Sequence, residues 1–499
     1  MLLRSALAMT LLAAVACTPG RAPQARTPEP GSPLPVATPT PTPNPTVDGP
    51  GAPTPKPPTA PLVVAGGDPK PVHATSPALG LTVLPQFGAI LPAVGELNVL
   101  LRLKGGDMPE TQRPPLDLAL VIDRSGSMQG DKIVSVKTAA IELLSRLGRD
   151  DRLSILSYSN GVEVLTRHVL MNDAGQREAR KHILGIDANG STALGPAMAE
   201  AFSVLRQRPA AGSDRMAHVI FMSDGLANTG EQRPAILGEW AAAAFRDGIS
   251  LSSLGVGLDY NEDLMTKIAD QGGGRYHFIK DADAVAGVLN DEFKGLVATV
   301  ASQVAIQVDL PEGARLLRVF GYPTFEEGGK TFIRVGSVAA QGSRDIIVKL
   351  GFDRPMGADG AAVAVAGLRV DFRNMAAGGE AAFVTGAVDV QVRDDAKAIA
   401  ASENLEVSVR VSETEAADKL ETAARAVETG AYQEAEKVLE DTIVELRKRN
   451  EAAPSPVLDA QIKDFETARR GVQGAAASPA AKGDFVKTNK ARAYETQKK

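Results

Sequence analysis

The chain has 499 residues, 44% of them hydrophobic and 23% charged, and its net charge is −6. That length points to more than one domain, and the composition supports a sizeable core. The acidic balance argues against nucleic acid as a partner, because phosphate binding needs a concentrated basic surface. One cysteine, Cys17, can form neither an intramolecular disulfide nor a CxxC zinc framework.

At the N-terminus, Arg4 is followed by an apolar run that ends in small residues at Ala16. This reads as a secretory signal over residues 1–17, too short to span a bilayer. Ala14-Val15-Ala16-Cys17 resembles a bacterial lipobox, with Ala14 where that pattern prefers Leu. The resemblance implies lipidation of Cys17 as the mature N-terminus; ordinary cleavage leaving a free thiol is the plainer alternative. Thr18, not Asp, follows the cysteine, which points to the outer membrane in a two-membrane bacterium, facing the periplasm or the surface. Residues 18–62 are rich in Pro and Thr (ATPTPTPNPT), a composition that favours extended polyproline II and suits a tether. No later segment offers about 18 apolar residues, so no transmembrane helix is expected in the mature chain.

Residues 63–113 show short alternating strands, Leu79 to Leu91 and Gly95 to Leu103. The pattern then changes. Leu116 to Ile122 (LDLALVI) is nearly continuous in apolar character, as expected of a buried parallel strand. Ile133, Val136, Ala140, Leu143 and Leu147 follow at helical spacing. Strands at Leu153–Tyr158, His218–Met222, Ile249–Val256 and Arg275–Ile279 alternate with helical stretches. Asn160-Gly161 turns the chain into Val162–Leu170 as an antiparallel edge. Residues 114–298 therefore predict a doubly wound α/β domain. Alternation returns over 299–411 with Gly-rich turns. Two strands before the α/β domain are too few to be stable alone, so both flanks are expected to build one β-sandwich into which that domain is inserted. Residues 412–475 turn helical. Ala423 to Leu439 resembles one tetratricopeptide-like hairpin, but a single repeat makes no array, and a hairpin packed on the sandwich is the preferred reading. Residues 476–499 read as a basic tail, either disordered or a strap.

The chemistry sits at the end of the first α/β strand, in Asp123-Arg124-Ser125-Gly126-Ser127. In an open α/β sheet, ligands bind beyond the carboxyl ends of the strands. Ser125 and Ser127 occupy alternate loop positions, with Gly126 letting the backbone bend between them. A hard divalent cation needs more oxygen ligands than these. Thr192, in the loop before the helix near Gly195, and Asp224, ending the HVIFM strand, are placed to supply them.

These five residues, in this order and on these elements, resemble the metal-ion-dependent adhesion site of the von Willebrand factor type A domain. The resemblance runs from about Pro114 to Leu296; the flanks resemble more loosely a group of bacterial lipoproteins. It implies a Rossmann-like fold and direct ligation by Ser125, Ser127 and Thr192. Asp123 and Asp224 would act mainly through bound waters or switch between direct and indirect contact. The ion would be magnesium, with manganese or calcium as alternatives, and its last position would be open to an acidic side chain of an unidentified protein partner. The implied function is metal-dependent adhesion or assembly at the cell envelope, without catalysis.

Two alternatives remain beside it: a metal-dependent hydrolase using Asp123 and Asp224, and a structural module merely stabilised by metal. Hydrolysis usually needs a general base or a second ion, and the carboxylate nearest in sequence, Glu231, reads as a solvated helix-start residue. The five histidines form no HxxxH or HExxH pair, His218 reads as a packed or capping residue, and no GxSxG elbow occurs.

Overall fold

A computed structural model of the chain describes residues 72–92, 95–108, 113–209 and 214–499. The signal sequence, Cys17 and the linker expected over 18–62 lie outside the described residues.

The chain begins with β1 (Val72–Thr75), β2 (Leu79–Pro85), β3 (Ala89–Ile90) and β4 (Gly95–Gly105). The α/β domain follows: β5 (Leu116–Asp123), α1 (Asp131–Arg146), β6 (Arg152–Tyr158), β7 (Val162–Leu170), α2 (Asp173–Leu184) and α3 (Leu194–Arg206). It continues with β8 (Met216–Ser223), α4 (Pro234–Arg246), β9 (Ile249–Val256), α5 (Glu262–Gln271), β10 (Gly273–Ile279) and α6 (Val285–Val297). Seven strands come next: β11 (Thr299–Asp309), β12 (Ala314–Val319), β13 (Thr324–Glu327), β14 (Lys330–Ala339), β15 (Ser343–Phe352), β16 (Ala362–Asn374) and β17 (Glu380–Val392). The helices α7 (Ala396–Ala401), α8 (Leu405–Thr429), α9 (Tyr432–Ala452), α10 (Pro456–Ala475) and α11 (Pro479–Gln497) close the chain.

The α/β sheet has the order β10-β9-β8-β5-β6-β7, parallel except for the antiparallel edge β7. The continuous apolar run of β5 is explained by its two faces. Leu118, Leu120 and Ile122 pack with α1, α2 and α6, whereas Ala119 and Val121 pack with α3, α4 and α5. Helices cover both sides, so neither face of the strand meets water.

The flanks form the sandwich. One sheet is β1-β2-β4-β15-β12 and the other β13-β14-β11-β16-β17-β3. The ladder from Lys104↔Ser343 to Gly95↔Phe352 joins the segment before the insertion to the segment after it. Alternate residues of β4 (Leu97, Val99, Leu101, Leu103) enter the shared core with Val304 and Ile306 of β11 and Ile346 and Val348 of β15. The stretch Leu79–Leu91 is two strands rather than one. Pro85 has no N–H for a ladder; after it, β3 crosses to the other sheet and pairs parallel with β17.

The C-terminal region also departs from the sequence expectation. The hairpin is part of a larger bundle: α8 to α11 share a core that includes Leu420, Val427, Leu439, Phe465, Val472 and Phe485. The basic tail is the ordered helix α11. Its Lys487 and Lys490 are buried, and their ammonium groups bond Glu262 at 2.6 and 2.8 Å. That partner lies some 225 residues away in sequence, so the basic run by itself does not show whether it docks. Among the described residues no helix is long and apolar enough to cross a membrane.

Candidate functional site

Parallel pairing of β5 with β8, in register through Ile122↔Met222, puts Asp123 beside the Ser223-Asp224 end of β8. The backbone then turns sharply: Ser125 N–H donates to Asp123 Oδ1 (2.8 Å), and Gly126–Met128 form a single 3-10 turn. Gly126 N–H donates to Gly190 O (2.9 Å), drawing in the loop that carries Thr192. Gly190 has φ +84°, a conformation suited to glycine. Asn160, at the β6–β7 turn, accepts from Ser191 N–H (2.8 Å) and Ser191 Oγ (2.7 Å). Asn228 Oδ1 accepts from Thr192 N–H (2.8 Å). Four loops are thus fastened to one another before any ligand enters.

The structure brings all five expected residues together. Ser125 Oγ and Ser127 Oγ are 3.1 Å apart, and Ser127 Oγ donates to Asp224 Oδ1 at 2.7 Å. The Cβ position of Gly225 lies 3.2 Å from Ser127 Oγ, 3.2 Å from Thr192 Oγ1 and 3.8 Å from Ser125 Oγ. Three hydroxyl oxygens therefore face one small space, and only a glycine leaves it open. Asp123 and Asp224 are fully buried beside it.

Both oxygens of Asp123 are engaged. Oδ1 takes the Ser125 N–H, while Oδ2 accepts from Ser223 Oγ (2.8 Å) and Tyr158 OH (3.2 Å). Burial pushes the Asp123 carboxyl up, and hydrogen bonds from Ser125 and Ser223 oppose that shift. Asp224 meets a cation of the chain itself: Lys132 Nζ donates to its Oδ2 at 2.6 Å. The donors at this site are all oxygen, which suits a hard divalent ion. Among the described residues no group of three or more His, Cys, Asp or Glu side chains is placed to hold a metal; here two carboxylates combine with three hydroxyls.

Sequence reasoning missed Lys132, Tyr158, Asn160 as a loop fastener, Ser223 and Asn228. The Asn160-Gly161 turn was readable, but its bond to Ser191 spans 31 residues and leaves no local trace. Glu231 faces Arg233, with bonds of 2.8 and 2.5 Å, and that guanidinium holds its carboxyl down at about 2. His218 is buried near the start of β8, where its Nδ1 meets Ser250 Oγ at 2.6 Å. With His277 it flanks Glu292, away from the hydroxyl cluster at the strand's other end.

Residues 117–291 match the family model of the von Willebrand factor type A domain. The chain therefore carries an α/β domain of that fold. Over 219 residues it is 28% identical to the uncharacterized protein YfbK of Escherichia coli (strain K12), covering 43% of this chain and 37% of that one. Over 227 residues it is 29% identical to inter-alpha-trypsin inhibitor heavy chain H3 of Mesocricetus auratus, covering 44% of this chain and 25% of that one. The chain thus spans well under half the length of these relatives. The solved von Willebrand factor type A protein from Catenulispora acidiphila superposes with a TM-score of 0.67 at 16% identity, covering 85% of this chain and 98% of that one. The ArnB paralog VWA2 from Sulfolobus acidocaldarius gives 0.53 at 15% identity, covering 83% and 99%. These are likenesses of fold, and they extend past the α/β domain into its flanks.

Proposed function

We propose that this chain is a cell-envelope lipoprotein, anchored through Cys17, that captures a protein partner through a divalent cation, magnesium in the first instance. The observation that carries the reading is the convergence of Ser125, Ser127 and Thr192 hydroxyls on the space kept open by Gly225. These three would hold the ion directly. Asp123 and Asp224, each with both oxygens already bonded, would act from behind, mainly through water. A cation bound mainly by neutral hydroxyls keeps much of its charge, which attracts a carboxylate from a partner. The fastened loops pre-form the site, so little ordering accompanies binding.

The hydrolase reading loses its nearest candidate base, because Glu231 is held by Arg233 and its low pKa makes it a poor proton acceptor. The test is titration of magnesium into the full chain by calorimetry, with capture of envelope proteins measured with the metal and after its removal. Thr192→Val, which keeps the side-chain shape, is expected to abolish both magnesium binding and metal-dependent capture. Capture that is equal with and without metal would refute the adhesion reading; a metal-raised melting temperature with no capture would leave only the structural module. Separately, Cys17→Ala is expected to move the chain from the membrane fraction to the soluble one.

A further inference from the structure

A second charged feature lies on the seam between the α/β domain and the sandwich. A cleft of about 730 Å³ opens there, bounded by the ends of α3 and α4, the start of β8, and strands β11, β14 and β16. In a chain of net charge −6, its lining carries Arg206, Arg208, Arg215, Arg246 and Arg373 against Asp247 as its one acid.

The partners of these arginines leave charge uncompensated. Arg206 pairs with Asp247 at 2.8 Å, and Arg215 with the buried Asp117 at 2.9 Å. Arg208 approaches Asp117 only at 3.9 Å and donates instead to Leu205 O at 2.7 Å. Arg373 donates to neutral oxygens, Gln303 Oε1 at 3.0 Å and Gly379 O at 3.1 Å. Among the described residues Arg246 has no carboxylate partner. Counting Asp117 behind the wall, three positive charges in the cleft stay unmatched. A further cation stands close by. Arg334 is buried between the rings of Phe245 (4.8 Å) and Phe325 (4.7 Å), with its Nε and Nη1 unpartnered. Burial and the charge of Arg246 pull its pKa down to about 10.

Helix ends account for part of this. Arg206 and Arg246 sit in the last turns of α3 and α4, where a cation suits the helix dipole. Arg373 lies on β16, and no such reason applies to it. Guanidinium forks match oxyanions geometrically, and the volume is that of a small-ligand site. Among the described residues Phe245 is the one aromatic ring in the lining, and Arg334 lies over one of its faces, which leaves little aromatic surface to stack on a base.

We propose that this cleft binds an oligophosphate, a ligand with several phosphoryl charges and no nucleobase, bridging Arg246 of the α/β domain and Arg373 of the sandwich. The probe is inorganic tripolyphosphate, titrated calorimetrically into the full chain in low-salt buffer free of divalent metal, so that the hydroxyl site takes no part. The wild type is expected to bind saturably with micromolar affinity that falls as salt rises. Arg246→Ala/Arg373→Ala is expected to lose at least tenfold, and Arg246→Lys/Arg373→Lys, which keeps the charge and protects the fold, to lose severalfold. Arg233→Ala, on another surface, is expected to change nothing. No saturable binding by the wild type, or equal affinity in both double variants, would overturn the proposal.

Discussion

The sharpest perturbation of the hydroxyl site is one methyl group, Gly225→Ala. Gly225 is not among the residues with positive φ, so alanine meets no backbone strain there. Restricting the unfolded chain stabilises such a variant by about 0.4–1 kcal/mol. The new Cβ would lie 3.2 Å from both Ser127 Oγ and Thr192 Oγ1, tight enough that those side chains must give way slightly, at a cost of about 1 kcal/mol. The two effects nearly cancel, and a melting temperature within about 3 °C of wild type is expected without metal. The consequence for metal is much larger. Magnesium bonds its ligands at about 2.0–2.1 Å and demands near-octahedral order. A carbon 3.2 Å from two of those oxygens takes volume that the ion and its coordinated water need. Loss of at least about 100-fold in affinity is expected, or roughly 3 kcal/mol. The assay is melting temperature against magnesium concentration. At 100 times its Kd the metal should stabilise the wild type by about 2.7 kcal/mol and the variant by no more than about 0.4 kcal/mol. An equal metal-dependent shift in both would mean that the ion does not sit among these hydroxyls, and the reasoning would fail at its base.

Other expectations bear on the charges around the site and its support. Lys132→Gln removes the ammonium that bonds Asp224 at 2.6 Å; magnesium binding is expected to tighten about fivefold, or about 1 kcal/mol, and calorimetry showing unchanged or weaker binding would count against Lys132 as a competing cation. Lys487→Met leaves Glu262 with Lys490 as its remaining buried partner, since Lys490 Nζ still lies 2.8 Å away. The loss should fall at the low end for a broken buried pair, about 3 kcal/mol, read by urea unfolding of the full chain. Burial pushes the Glu262 carboxyl up, but the ammonium groups of Lys487 and Lys490 outweigh it and hold it down at about 2. Its folded pKa lies below the unfolded one, so the stabilisation is complete above about pH 4.5 and drains away as pH falls toward 2. Protection of the α11 amides, taken as the exchange rate relative to the intrinsic rate at each pH, should therefore fall within that window, and unchanged protection there would refute the assignment.

Part of the candidate site could be read from the sequence because Asp123 and Asp224 fall at or just past strand ends, and strand ends can be located from hydrophobic patterning. Asp123 and Asp224 follow two continuous apolar runs, and parallel pairing makes neighbours of them. What fastens the site was not readable. Asn160, Ser223 and Asn228 act through contacts between loops far apart in sequence, and single polar residues in loops carry no periodicity. The inserted arrangement was inferred from two strands before the α/β domain; four precede it, and they are joined to the strands that follow through the β4–β15 ladder. The bend at Pro85 and the sheet exchange by β3 turn on pairing choices that alternation does not encode. Whether residues 476–499 form a disordered tail or a strap stayed open for the same reason: the apolar residues there are few, and the acidic partners of Lys487 and Lys490 lie in the α/β domain and in α8.

That helix also bears on why the site is held where it is. Lys487 Nζ donates to Tyr260 O at 2.6 Å, inside the loop joining β9 to α5, and to Glu262 at the start of α5. Lys490 bridges Glu262, Asp263 and Glu428, tying the same helix end to α8. Tyr494 OH donates to Asp270 and accepts from Tyr276 N–H. The loop gripped in this way begins at Gly257, whose Cβ position lies 3.2 Å from Lys132 Nζ, and Lys132 in turn holds Asp224. The last helix is therefore tied to the β9–α5 loop, which passes beside Lys132 next to the hydroxyl site. Removing α11 as a dispensable basic tail would therefore leave Glu262 without its buried ammonium partners and release the β9–α5 loop beside Lys132.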